Sequence, residues 1–294
     1  MEFHIPVLSN ETIELLNIQK GKIYVDTTLG HGGHALKILK KGGLVYGIDQ
    51  DPKNLEIAKT RIREAGFSHQ FFPIHNNFNQ LENIVTKNIK QKIDGLIIDL
   101  GLSQNQQTSQ DRGFSFNDKT SLDMRLDPKK QDLTAENIIN TYDYDELYQI
   151  FSKYAQEIYS KPIVLRIIRE RQKSPIKTAT KLADIIRDYY KEKHIRSKID
   201  PSTKIFLSLR ILVNNEFNNL RDILDQSLKT VNKNGNICVI TFHSGEDRIA
   251  KQFIKKYSNQ KIIIENKKPI KATFQETKNN PLSRSATLRS YRII

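Results

Sequence analysis

Three short segments place ligand-gripping residue types at the ends of apolar runs. In the first, Asp26-Thr-Thr-Leu-Gly-His-Gly-Gly-His34, three glycines fall within four positions, at Gly30, Gly32 and Gly33. Glycine tolerates backbone conformations and close approaches that other residues do not, so such a turn suits a ligand held against main chain. The spacing is not G-x-G-x-x-G, which a dinucleotide's pyrophosphate would need. A ligand with no phosphate to cradle fits it better; the plain alternative is a tight structural turn. In the second segment, Gly47-Ile-Asp-Gln-Asp-Pro52, Asp49 follows the glycine turn by the spacing at which a carboxylate accepts from ribose hydroxyls. Its plain alternative is a cap for the helix opening at Pro52, a task Asp51 suits better. The third segment, Asp99-Leu-Gly-Leu-Ser103, offers a carboxylate, a hydroxyl and carbonyls, all acceptors for the N–H groups of an amine.

Together these point to a nucleoside-bearing methyl donor and an amine acceptor. Transfer from a sulfonium is an in-line displacement in which positioning of the nucleophile does most of the work. Cytosine's exocyclic amine is delocalised into its ring, and acceptors on its hydrogens help localise the lone pair. Asp99 and Ser103 are the catalytic candidates for this, and S-adenosylmethionine is the expected cofactor. Asn77-Phe78 lies where an adenine would sit, although a lone Phe is more often core. Loop segments rich in charge and aromatics add candidates: Asp111-Arg-Gly-Phe-Ser-Phe116, Leu122-Asp-Met-Arg125 and Thr241-Phe-His-Ser-Gly-Glu-Asp-Arg248, with His243 a further catalytic candidate and Arg112 an RNA contact. Each is equally an ordinary turn. Attack at carbon 5 of cytosine would need a Cys nucleophile, and the single cysteine, Cys238, sits in an apolar run that reads as core. Nothing in the sequence points to a metal.

The elements that must position these residues alternate. Strands are expected at 22–26, 44–49, 70–75 and 93–99, with helices at 35–41, 53–65 and 81–89, the pattern of a parallel α/β sheet. From about residue 104 to 204 strand signals vanish and helices are expected at 137–140, 144–154, 161–171 and 179–193. Helices at 204–214 and 220–232, a turn at Lys233-Asn-Gly235, and strands at 236–242, 261–264 and 287–293 follow. The expected fold is therefore α/β: a Rossmann-like domain, residues 1–103 and 205–294, interrupted by a helical substrate-recognition insert, residues 104–204.

With 294 residues, 37% of them hydrophobic, the chain can bury a sizeable core. No run approaches the roughly 20 apolar residues of a membrane helix. Met1 to Pro6 lacks the basic and apolar regions of a secretory leader, and one cysteine suits a reducing, cytoplasmic setting. The net charge of +14 favours a polyanionic partner, with nucleic acid first; a proteome of generally basic surfaces is the alternative. The charge is uneven. Arg248 to Ile294 carries 12 Lys+Arg against 2 Asp+Glu, and Gln156 to Lys204 carries 13 against 6, while Gln104 to Tyr154 carries 6 against 9. Arg166, Arg169 and Arg171, together with the basic C-terminal stretch, are expected to meet phosphates.

Taken in order, these segments resemble one family, the bacterial small-subunit ribosomal RNA cytosine N4-methyltransferases, or MraW family. The resemblance runs nearly end to end. Besides the segments above it includes His4-Ile-Pro-Val-Leu8, Asp94-Gly-Leu-Ile-Ile-Asp-Leu-Gly101, Leu209-Arg-Ile-Leu-Val-Asn214 and Asn280-Pro-Leu-Ser-Arg-Ser-Ala-Thr-Leu-Arg289. It implies a class I methyltransferase fold with a helical insert, and N4-methylation of a cytidine in 16S ribosomal RNA at the decoding centre. By matching positions it also implies that Gly32, Gly33, His34, Asp49, Phe78, Asp99 and Gln106 contact S-adenosylmethionine. The implied partner is 16S ribosomal RNA in the small subunit, with no membrane and with a homodimer allowed. The chain departs from the family pattern at Ser103-Gln-Asn-Gln106, Thr241, Gly245 and Tyr154-Ala-Gln-Glu157. Two other readings stay open: a DNA amino-methyltransferase, although Asp99-Leu-Gly-Leu lacks the usual prolines and aromatic, and an RNA-binding assembly factor without activity.

Overall fold

The structure, a computed structural model, describes residues 5–109 and 111–294. His4, which opens the N-terminal motif, lies outside them. The chain begins with α1 (Ser9–Leu16), β1 (Ile23–Asp26), α2 (Gly33–Lys40), β2 (Leu44–Asp49), α3 (Pro52–Glu64) and β3 (Phe71–His75). It continues through α4 (Leu81–Ile84), extended by a widened turn to Ile89, then β4 (Ile93–Asp99) and α5 (Gln104–Thr108). Five helices follow: α6 (Ala135–Thr141), α7 (Tyr144–Tyr154), α8 (Ser160–Lys173), α9 (Ala179–Glu192) and α10 (Thr203–Val213). The remainder is α11 (Glu216–Thr230), β5 (Val231–Thr241), α12 (Ser244–Tyr257), β6 (Ile262–Ile264), β7 (Ile270–Lys271), α13 (Phe274–Asn279) and β8 (Thr287–Ile293).

By Cα proximity these elements form two compact units, residues 1–103 with 217–294, and residues 104–216. In the first, the described residues form one eight-stranded sheet of order β3-β2-β1-β4-β5-β8-β6, with β7 also pairing β8. The first five strands are parallel, and β8 runs antiparallel to β5 and β6. β1 and β4 are almost wholly buried, which is why they read as continuous apolar runs and do not alternate. Helices cover both faces. On one, Ile13, Leu16, Ile38, Leu39, Leu55 and Ile62 from α1, α2 and α3 close the core. On the other, Leu81, Ile84, Leu220, Leu224, Ile249 and Phe253 from α4, α11 and α12 do so. This is the expected α/β class of fold.

The second unit is helical. Leu147 and Phe151 of α7, Ile163 and Ile167 of α8, Leu182 and Ile186 of α9, and Ile205 and Leu209 of α10 are buried. Its capping is local and strong: Thr134 and Asp143 each accept the N–H three residues on, at 3.0 and 2.8 Å, and the side chains of Asn137 and Glu146 accept in return. The helix at Thr203–Val213, expected with the α/β part, packs against α6 and α7 in this unit. A second difference lies at Lys233-Asn-Gly235. The expected turn lies inside β5, where pairing with β4 jumps from Ile93↔Val231 to Gly95↔Asn236. The surplus residues bulge out through Asn234, whose φ is +67°. α12 has no counterpart among the expected elements, because its polar start at Ser244-Gly-Glu-Asp247 reads as loop.

Candidate functional site

In the sheet order the chain moves outward from β1 on one side and from β4 on the other. The crevice above the carboxyl ends of such a pair is where open α/β sheets bind ligands. Asp26 ends β1, Asp99 ends β4 and Asp49 ends β2, so three carboxylates border it. The glycine turn between β1 and α2 is tied to its neighbours by main chain. Thr27 donates to the Ile97 carbonyl through both N–H and Oγ1, at 3.0 and 2.8 Å, and Leu29 N–H donates to Ile48 at 2.9 Å. The Thr28 hydroxyl accepts from Asp99 N–H at 2.7 Å. Gly32 has φ +72°, and a Cβ there would lie 3.3 Å from both Ala58 and Ile62, so the turn has neither the conformation nor the room for a side chain. Gly33, which begins α2, is covered by Pro6.

Asp49 is buried at the far side of this turn. Its Oδ2 accepts from Gly30 N–H at 2.9 Å and from Asn54 Nδ2 at 3.0 Å, and its Oδ1 accepts from Asp51 N–H at 2.8 Å. Burial nonetheless pushes the carboxyl up to about 7, against the pull of these donors. The helix cap is a separate group, since Asp51 accepts from Lys53 N–H at 3.0 Å. Asn54 extends the network, accepting from the Ser103 hydroxyl at 3.1 Å. Ser103, Asn54, Asp49 and Gly30 thus form one chain of hydrogen bonds joining the loop after β4 to the glycine turn. Sequence reasoning did not single out Asn54. The available signal was a polar residue on the first turn of α3 that is 2% exposed, and only the fold reveals its burial.

The most unusual feature is a cluster of the buried Asp26 and His34 with the part-buried Asp99. His34 Nε2 lies 3.4 Å from Asp99 Oδ2, too far for a good hydrogen bond. Four buried atoms here have no hydrogen-bond partner among the described residues: Asp26 Oδ2, Asp99 Oδ1 and both ring nitrogens of His34. Burial raises the Asp26 carboxyl to about 6, with the His34 ring opposing and Asp99 reinforcing that shift. Unsatisfied buried acceptors are costly. A group that brings several N–H donors and a positive charge would satisfy them. Asp26 was missed as a site residue because a strand-terminal Asp also reads as a turn former.

The other expected residues divide. Phe78 opens a short 3-10 turn and packs partly against the core, and the Asn76 N–H just before it donates to the Asp49 carbonyl at 3.2 Å. His243 sits just before α12 with Nε2 3.1 Å from Glu246 Oε1, and Glu246 Oε2 accepts from Phe242 N–H at 2.8 Å. The Phe242 ring lies over Gly101, so the corner carrying His243 adjoins the corner carrying Asp99 and Ser103. Cys238 is fully buried in β5 and its thiol is pushed up to about 12 by burial, an inert state as expected. Gln106, buried on α5, belongs to the helical unit.

The arginines of that unit are mostly engaged. Arg112 Nη2 donates to the Arg125 and Leu126 carbonyls, both at 2.9 Å, and its guanidinium sits 5.3 Å from the Phe114 ring. Asp118 anchors the same loop, accepting from the N–H groups of Gly113, Thr120 and Ser121, which holds its carboxyl below the usual range. The Arg112–Phe116 and Leu122–Arg125 motifs therefore build a self-bonded loop, and Arg112 serves it structurally. Arg166 pairs with Glu192 through two bonds, and Arg171 donates to the Ile139 carbonyl at 2.7 Å. Of the four arginines expected to meet phosphate, Arg169 alone is exposed.

A model of the MraW methylase family matches residues 1–294. Among solved structures, the chain is similar to a candidate rRNA methylase from Clostridium thermocellum, at 10% identity over 100% of both chains and a TM-score of 0.49. It is also similar to a candidate methyltransferase from Streptococcus mutans in complex with SAH, at 11% identity over 99% of this chain and 100% of that one, TM-score 0.48. An rRNA methylase from Streptococcus thermophilus matches at 9% identity over 100% and 99%, TM-score 0.48.

Proposed function

Because the chain belongs to the MraW methylase family, its activity is methyl transfer from S-adenosylmethionine, and we propose that the acceptor is the exocyclic N4 of a cytidine in 16S ribosomal RNA, at the decoding centre of the small subunit. The family match over the whole chain carries this reading. The crevice fits the cofactor on one observation in particular, the unpartnered acceptors of Asp26, His34 and Asp99. An α-ammonium brings three donors and a charge, which is what the buried Asp26, the part-buried Asp99 and the His34 imidazole lack. Gly32 and Gly33 let the turn pack tightly against Ala58, Ile62 and Pro6 and so hold its main chain beside the ligand, Asp49 accepts from the ribose, and Phe78 lies beside the adenine. Gln106 is assigned to the cofactor by the family pattern alone.

S-adenosylmethionine, when bound, supplies a methyl group on a sulfonium. Asp99 and Ser103 hold the amine by its hydrogens, with the lone pair aimed at the methyl carbon. Asp99 would accept the proton that the amine loses on methylation. His243, at the adjoining corner, positions the base. The inert thiol of Cys238 supports direct transfer over covalent attack on the ring. The helical unit and the basic C-terminal stretch hold the RNA while the base is unstacked, which costs a few kcal/mol. Such a substrate would keep the protein in the cytoplasm, and no helix among the described residues is long and apolar enough to cross a membrane.

The test is incubation of the purified protein with labelled S-adenosylmethionine and 30S particles, then mass spectrometry of the digested RNA. N4-methylcytidine at one position is expected. Label in another nucleoside, or in DNA in preference to 30S particles, would overturn the assignment.

A further inference from the structure

Among the described residues the most exposed large apolar side chain is Phe274, 84% exposed at the start of α13. A surface Phe is unremarkable alone, but its surroundings and position are not. Lys267, Lys268, Lys271, Lys278 and Arg284 are all exposed around it in sequence, and none has an ion-pair partner among the described residues. The nearby acid, Glu276, is engaged with the N-terminal segment, where it accepts from Leu8 N–H at 2.7 Å.

That contact fixes where Phe274 is. Asn280, just beyond α13, donates to the Ile5 carbonyl at 2.9 Å, so both ends of the helix are fastened to residues 5–8. Those residues carry Pro6, which packs on Gly33 of the cofactor turn. The exposed ring, with Lys278 on the same helix, therefore rides on the segment that covers the glycine turn, at the rim of the crevice.

We propose that Phe274 is a stacking platform for an unpaired base of the RNA strand that carries the target, with the flanking Lys and Arg side chains on its phosphates. An exposed aromatic among unpaired cations is the combination that single-stranded nucleic acid recognises, since every base has a π-face and every linkage a charge. The inference rests on the ribosomal RNA reading and adds to it a surface outside the helical unit.

The full chain, loaded with S-adenosylhomocysteine, is titrated against a fluorescein-labelled single-stranded cytidine-containing oligoribonucleotide, a duplex of equal length, and vesicles containing phosphatidylserine. Wild type binds the single strand best. Phe274→Ala weakens that binding roughly 5- to 100-fold, while Phe274→Tyr retains it. Because the lost contact is not ionic, Phe274→Ala keeps the wild-type salt dependence, whereas Lys271→Glu with Lys278→Glu flattens it. S-adenosylhomocysteine affinity stays unchanged in each variant. Equal single-strand affinity for wild type and Phe274→Ala overturns the assignment, as does tighter binding of vesicles than RNA, or self-association that Phe274→Ala abolishes. If wild type binds no RNA and methylates no 30S particle, the ribosomal reading itself has failed; if it does both and Phe274→Ala does them equally, only the platform has.

Discussion

Replacing Asp49 with Asn changes the charge and one of the two acceptor atoms of a buried group while keeping its size. The two carboxylate oxygens already accept three hydrogen bonds, from Gly30, Asp51 and Asn54. A carboxylate has about four lone-pair positions, so about one remains for a ribose hydroxyl. A hydrogen bond to a charged group contributes about 1.5–3 kcal/mol, so Asp49→Asn should weaken S-adenosylmethionine binding roughly 10- to 150-fold. The loss should depend on pH. Burial holds the carboxyl at about 7, so it is ionised at pH 8 and mostly protonated at pH 6. Ribose donors favour the ionised form, and Asn does not titrate. The wild-type advantage should therefore be full at pH 8 and shrink at pH 6. Taking the ratio of the two proteins cancels other titrations that they share. Isothermal titration calorimetry at both values measures it. Equal affinities at pH 8, with the variant's circular dichroism unchanged, would remove Asp49 from the cofactor site.

Three further outcomes are expected, beside that for Phe274. The Asp26 carboxyl is raised from 3.8 to about 6 by folding, so the fold favours its protonated form. That contribution is complete below about pH 4 and is lost as pH rises through about 6. Asp26→Asn, which does not titrate, should therefore gain stability relative to wild type between pH 4 and 7.5, by on the order of 3 kcal/mol. Urea unfolding without cofactor reads this, and a difference constant across pH would show that Asp26 does not titrate as argued. Cys238→Ser should keep most methyl transfer to 30S particles while Asp99→Ala loses nearly all; a folded but inactive Cys238→Ser, or a trapped covalent RNA adduct, would reverse the mechanism. Arg169→Glu should weaken RNA binding and lower its salt slope by about one unit, and wild-type binding across a salt series would leave that residue as a solvated helix face.

Much of the fold was legible because its signals are local. Parallel strands buried on both sides must be continuous apolar runs, and Ile93–Asp99 reads as one without knowledge of its neighbours. The glycine turn was legible for a similar reason: only glycine takes the conformation and the space at Gly32, so the backbone's need is written in the residue type. Asp49 and Asp99 were visible as acids at strand ends. What their side chains touch was not, because that depends on elements far apart in sequence. The Asp26–His34–Asp99 cluster exists only because β1 and β4 are neighbours in the sheet, and the Ser103–Asn54–Asp49 chain only because α3 returns beneath the glycine turn. The same holds on the surface. Arg166, Arg169 and Arg171 look alike in sequence, but α9 brings Glu192 to the first and α6 brings a carbonyl to the last, leaving Arg169 exposed. Phe274 has no periodicity to mark it, and only the fold shows α13 held on the N-terminal segment with its ring in water. Residue type and short-range period determine which elements form; whether a given side chain is paired, buried or free is decided by which distant segment the packing sets against it.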